Sequence, residues 1–207
     1  MEQLKSSENY RQTFTKLVLP NSDFIDFIFE ECVFLTCNFS GANFKRARFL
    51  GCRFESSDLS NAKLDNTRIR NTEFDKCKLL GLQWTQMEDF TDPVFRECIL
   101  SFSNFSGMKL KKAQFYQSTL RDVDFSGADL PESNFKDCDL LNARFSATCL
   151  LKSDFRGAIN YLISPIENKL RGARFSLPEA QGLLYGLGIL LDEESRNVVS
   201  KEVRHGH

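Results

Sequence analysis

The chain of 207 residues is poor in several things that would direct a reading elsewhere. It has two histidines, His205 and His207, both among the last three residues, so no His-based acid–base or metal constellation can be assembled from it. No nucleophile elbow, phosphate loop or metal-ligand spacing is present, so catalysis has little support and no cofactor is expected. A formal net charge of −1 leaves no overall field to announce nucleic acid or a membrane surface as a partner. No apolar run is long enough to cross a bilayer. The start, MEQLKSSENY, has no apolar stretch of the signal-peptide kind, and a cytoplasmic location is expected. Seven cysteines are an odd number without zinc-type pairing, which points to packed thiols in a reducing compartment. There is one tryptophan but 20 phenylalanines. So much Phe in a chain of negative mean hydropathy implies a narrow apolar core inside a polar shell.

Those phenylalanines are periodic. From Asn38 to Leu64 a large apolar residue returns every fifth position: Phe39, Phe44, Phe49, Phe54, Leu59, Leu64. Two places before each stands a small one: Cys37, Ala42, Ala47, Cys52, Ser57, Ala62. A helix would need spacings of three and four and a strand a spacing of two, so a repeat of five belongs to a solenoid. The ladder runs in fives from Phe14 to Trp84, steps six residues to Phe90, and resumes in fives to Phe155. One residue is therefore inserted within Thr85, Gln86, Met87, Glu88 and Asp89. It reads either as a bulge at one corner or as a small functional protrusion.

Taking every fourth core residue sorts the ladder into columns. One collects Phe34, Phe54, Phe74, Phe95, Phe115, Phe135 and Phe155; the next, from Leu19 to Leu140, is nearly all Leu. Like stacks on like only if one turn holds four units. The columns stay in step across the insertion, so the coil continues through it. At the strand spacing of ~4.8 Å, about seven coils give a rod of ~34 Å. Six cysteines (Cys32, Cys37, Cys52, Cys77, Cys98, Cys138) fall on the small inward place. Gly41, Gly51, Gly81, Gly107, Gly127 and Gly157 share the second place after the core residue, a corner where a permissive backbone is useful.

The units SGANF, SNAKL, SGADL and LNARF resemble the pentapeptide-repeat family. The resemblance implies an all-β solenoid, a right-handed quadrilateral β-helix, with the handedness coming from the family and not from the spacing. Residues 1–13 precede the regular ladder and are expected to be a cap or a loose start. Residues 14–175 form the β-helix, and residues 176–192 a C-terminal helix and strand. Ser176 and Glu179 have capping-box spacing, with Pro178 in a first helical turn. Ala180, Leu183, Leu184 and Leu187 follow one helical face, and Gly188 suits a stop. Ile189 to Asp192 is expected as a short strand. The tail 193–207 is expected to be disordered.

The segments NYLISPIEN and ARFSLPEAQGLLYGLGI, with LLGLQWT at 79–85, resemble the gyrase-protecting members: the albicidin and microcin B17 immunity proteins and, more distantly, the Qnr-type quinolone-resistance proteins. That resemblance implies a non-enzymatic head-to-head homodimer that mimics DNA. It engages DNA gyrase, in some members topoisomerase IV, and shields it from poisons, without itself binding nucleic acid or membrane. The dimer interface is expected at Leu183, Leu184, Leu187 and Ile189. Partner contacts are expected at Asp122, Asp124, Asp137 and Asp139, flanking the Leu120/Leu140 side, and at Thr85–Asp89. Two departures stand against this: the long loops of the relatives are missing, and basic patches (Arg46, Arg48, Arg68; Lys109, Lys111, Lys112) offset the acids. The rival is an interaction scaffold whose partner is unrelated to topoisomerases.

Overall fold

The computed structural model describes Leu4 and residues 6–191. The chain winds into a four-walled parallel β-solenoid. Strands β1 (Glu8–Tyr10), β3 (Ile28–Glu30), β5 (Arg48–Leu50), β7 (Arg68–Arg70) and β9 (Asp89–Thr91) pair in that order along one wall. Strands β2 (Thr13–Thr15), β4 (Val33–Leu35), β6 (Arg53–Glu55), β8 (Glu73–Asp75) and β10 (Val94–Arg96) line the next. Each strand is three residues long because the chain must turn a corner every five. Beyond β10 the walls continue rung by rung through single bridged residues, as in Gln114 to Asn134 to Asp154 to Arg174.

The columns inferred from the spacing are present as stacked rings. Phe14, Phe34, Phe54, Phe74, Phe95, Phe115, Phe135, Phe155 and Phe175 form one unbroken pile, with centroids 4.4–5.4 Å apart. Neighbouring columns meet edge-on, as Phe115 does Phe125 at 76°. Offset stacks along the rod and T-shaped contacts across it are the two arrangements that aromatic quadrupoles favour.

The inward small place does more than leave room. Cys37, Ser57, Thr67, Ser103, Ser133 and Ser153 each donate a thiol or hydroxyl hydrogen bond to the backbone carbonyl of the large core residue one coil beneath. A buried polar group here is satisfied by the backbone it faces, which is why Cys, Ser and Thr alternate with Ala in the slot.

The corners share one unusual conformation. At the second place after the core residue φ is positive in 23 residues that are not glycine as well as in Gly41, Gly51, Gly81, Gly107, Gly127 and Gly157; Gln86, after Trp84, lies in a 3₁₀ turn instead. Every corner of the regular ladder is turned by a left-handed residue whatever side chain it carries, except the one after Trp84.

Three differences from the sequence reading concern the ends. The ladder begins inside the expected N-terminal cap: Asn9 occupies a core place in register with Phe29 and is buried, its amide donating to the Ser6 carbonyl. The C-terminal helix is short, α1 (Gln181–Tyr185), with Ala180 at its N-cap and no capping box. Ser176 is used elsewhere, its hydroxyl accepting the Gly157 N–H at 2.9 Å and closing the last rung, so Pro178 lies before the helix rather than in its first turn. Residues 189–191 form no strand; Asp192 and the tail from Glu193 lie outside the described residues. Gly188 does adopt positive φ, and Ile189 N–H reaches back to the Leu184 carbonyl.

Candidate partner-binding surface

The four aspartates flank the Leu120/Leu140 wall, Asp122 and Asp124 at one of its corners and Asp137 and Asp139 at the other, but they are not alike. Asp139 bridges Thr119 and Ile159 on the Leu120/Leu140 wall. Its carboxylate accepts from Arg121 at 2.6 Å and from the Asn160 amide at 2.9 Å. Asp124, on the following wall, accepts from Arg144 at 2.8 Å and from the Ser126 N–H at 2.9 Å. Partial burial would raise both groups, but these donors outweigh it and hold both carboxyls below the usual range. Asp122 and Asp137 are corner residues with φ of 57° and exposed side chains. Asp122 accepts only a neutral amide hydrogen bond, from Asn142 at 3.1 Å. Among the described residues, no Lys or Arg forms an ion pair with either. The expected track is thus two open carboxylates alternating with two that the rod itself engages.

Pairing across adjacent coils recurs over the whole surface. Arg46 with Asp26, Arg96 with Glu73 and Lys136 with Asp154 repeat it, because side chains one turn apart are lateral neighbours. Asp154 gathers the most cations: Arg156 at 2.6 Å, Lys136 at 3.5 Å and Arg174 at 4.0 Å. Burial pushes its carboxyl up, yet the Arg156 guanidinium and N–H with Lys136 bring it down to about 2.

The insertion lies against the wall. A 3₁₀ turn, Trp84–Gln86, takes up the extra residue, so that Asn66 N–H bonds to Gln86 O where Asn61 N–H bonds to Leu80 O. Glu88 and Asp89 then aim their N–H groups at the one carbonyl of Thr67. Thr85, Gln86 and Glu88 are exposed and Met87 packs partly on the core. Glu88 closes onto Arg68, whose hydrogen bond lowers its carboxyl, and Asp89 onto Thr91 and Arg70 with the same result. Of the basic patch Arg46, Arg48 and Arg68, only Arg48 lacks an ion-pair partner among the described residues.

At the C-terminal end Leu183 packs on the core. Leu184, Leu187 and Ile189 are 36%, 41% and 43% exposed, and Leu190, which the spacing did not single out, is 91% exposed. Gly182 and Gly186 let α1 lie against the carbonyls of Tyr161 and Ile163, where an added Cβ would come within 2.6 Å of each oxygen.

With stacked columns, parallel walls and left-handed corners in place, the sequence matches the model "Pentapeptide repeat region" over residues 27–89 and "Pentapeptide repeats (8 copies)" over residues 89–127, 98–137 and 124–159. The chain is a pentapeptide-repeat protein. Among solved structures this pentapeptide-repeat protein is similar to a trypsin-treated variant of QnrB1, a plasmid-mediated fluoroquinolone resistance protein. The TM-score is 0.67 at 20% identity, over 87% of this chain and 100% of that one. Full-length QnrB1 gives a TM-score of 0.61 at 20% identity, over 86% of this chain and 100% of that one. The likeness is one of fold. Among curated protein sequences there is no match. No helix among the described residues is long and apolar enough to cross a membrane, and no three His, Cys, Asp or Glu side chains among them are grouped to hold a metal ion.

Proposed function

We propose that this protein acts by binding rather than catalysis, as a DNA-mimicking homodimer that engages DNA gyrase and protects it from topoisomerase poisons. The observation that carries the reading is Asp122 and Asp137 standing exposed and, among the described residues, without ion pairs, on a rod whose C-terminal end leaves Leu184 on α1 and Leu187 and Ile189 beyond it uncovered. An uncovered apolar helix at a solenoid end suits a second copy, because a rod end otherwise exposes core and strand edge. Two rods joined there span ~70 Å plus caps at the strand spacing. The QnrB1-like fold and the resemblance of the C-terminal segments to gyrase-protecting members support the same partner.

A second reading, an interaction scaffold with a partner other than a topoisomerase, is favoured by the pairing of Asp124 with Arg144 and Asp139 with Arg121. Paired carboxylates imitate phosphates less well than free ones. Supercoiling by purified gyrase, with and without a fluoroquinolone, separates the two. Rescue or inhibition at micromolar protein that weakens with added salt supports the first reading; no effect on gyrase under either condition removes it in favour of the scaffold.

A further inference from the structure

The corner between the Leu140 wall and the Phe145 wall carries one positive-φ residue per coil: Asn21, Gly41, Asn61, Gly81, Phe102, Asp122 and Asn142. Six of the seven are Gly, Asn or Asp, the types that enter this conformation at little cost. Phe102, at φ 64°, is the exception. A bulky side chain in this conformation costs roughly 1 kcal/mol. Burial does not repay it, because Phe102 is 63% exposed and belongs neither to the core nor to the residues packed on it. Folding therefore gives no account of this side chain.

Its surroundings do. Ile99 and Leu141 on the same wall are 38% and 40% exposed, and Asp122 is the next residue of the same corner column. An exposed aromatic ring at a convex corner, with exposed apolar residues on the same wall and an exposed carboxylate one coil along, has the composition of an interface hot spot. We infer that Phe102 is the apolar anchor through which this corner engages its partner, and that the partner surface offers an apolar pocket bordered by Lys or Arg. Charge complementarity to Asp122 fixes the sign of that border, and the strain at φ 64° is retained for binding rather than for stability. The inference rests on the gyrase reading and names the residue that reading lacked.

The test compares wild type, Phe102→Asn and the control Val18→Asn, which removes an equally exposed apolar side chain from the far end of the same wall. Thermal unfolding and the concentration giving half-maximal rescue of fluoroquinolone-poisoned gyrase are measured for each. The expected result is that Phe102→Asn unfolds at the wild-type temperature or higher but needs about tenfold more protein, while Val18→Asn matches wild type in rescue. Rescue by Phe102→Asn at the wild-type concentration overturns the inference and leaves the gyrase reading standing. Lost rescue with a lowered unfolding temperature also overturns it, because Phe102 is then structural. A wild-type protein that neither binds nor rescues gyrase overturns both.

Discussion

The Cys52 thiol donates a hydrogen bond to the Phe29 carbonyl oxygen, 3.3 Å away in the coil beneath. At this rung the slot holds a donor as well as a small residue, where other rungs hold Ala. Cys52→Ser keeps a donor and is expected to fold with little loss, whereas Cys52→Val fills the slot, strands the carbonyl and is expected to cost ~1–2 kcal/mol. Urea unfolding of the pair checks this, and equal stability of the two would show that the bond contributes nothing.

Burial raises the Cys52 thiol to about 12, and Cys138 likewise to about 12. Both are raised relative to the unfolded chain, so their contribution is whole below the unfolded thiol pKa and is lost as pH climbs from ~8.5 toward 12. Stability should accordingly fall above pH ~9. In the native protein at pH 8 a thiol reagent should label Cys149, the one free cysteine that is not fully buried, well before the other six. Rapid labelling of all seven would mean that the coils open.

Asp154 works in the opposite direction. Its folded carboxyl lies near 2, below the ordinary value of 3.8, so its stabilisation is whole above the unfolded pKa and disappears as pH falls through about 2. Asp154→Asn should cost on the order of 2 kcal/mol at pH 7, and the gap from wild type should narrow steadily below pH ~4. A gap that is unchanged at pH 2.5 would assign the loss to packing instead.

Corner strain predicts a gain. Thr36 is β-branched, exposed, and held at φ 55°. Thr36→Gly should raise stability by ~1 kcal/mol, since the corner demands a conformation that glycine adopts freely. Gly107 supplies the converse: nothing lies within 4 Å of where its Cβ would be, so the loss in Gly107→Ala measures backbone conformation alone, about 1 kcal/mol. Thermal unfolding of the two variants should move in opposite directions.

Leu187 tests the uncovered end. Leu187→Asp, at a position 41% exposed, should leave the far-ultraviolet spectrum unchanged and convert the sedimenting species from dimer to monomer. An unaltered dimer would exclude this C-terminal surface from the interface.

Much of the fold was legible because one apolar place in five is a property of the chain that survives without knowing any contact. The four columns, the small inward slot and the glycine corners all follow from counting. The short helix did not, since Ser176 has the spacing of a capping box but spends its hydroxyl on Gly157. Nor did Asn9, whose polarity hid a core place in the first strand, in register with Phe29.

What the sequence by itself determined is the tube, since periodicity decides which side chains face inward and how many units close a turn. Only the tertiary structure decided the surface. Whether Asp139 meets Arg121 while Asp122 meets no cation among the described residues depends on how far each side chain reaches across to the neighbouring coil. The cost of Phe102, likewise, is visible only once its corner column is seen to be left-handed. Neighbours on this surface are about twenty residues apart along the chain, and a linear reading cannot weigh a charge against a partner that only the winding brings beside it.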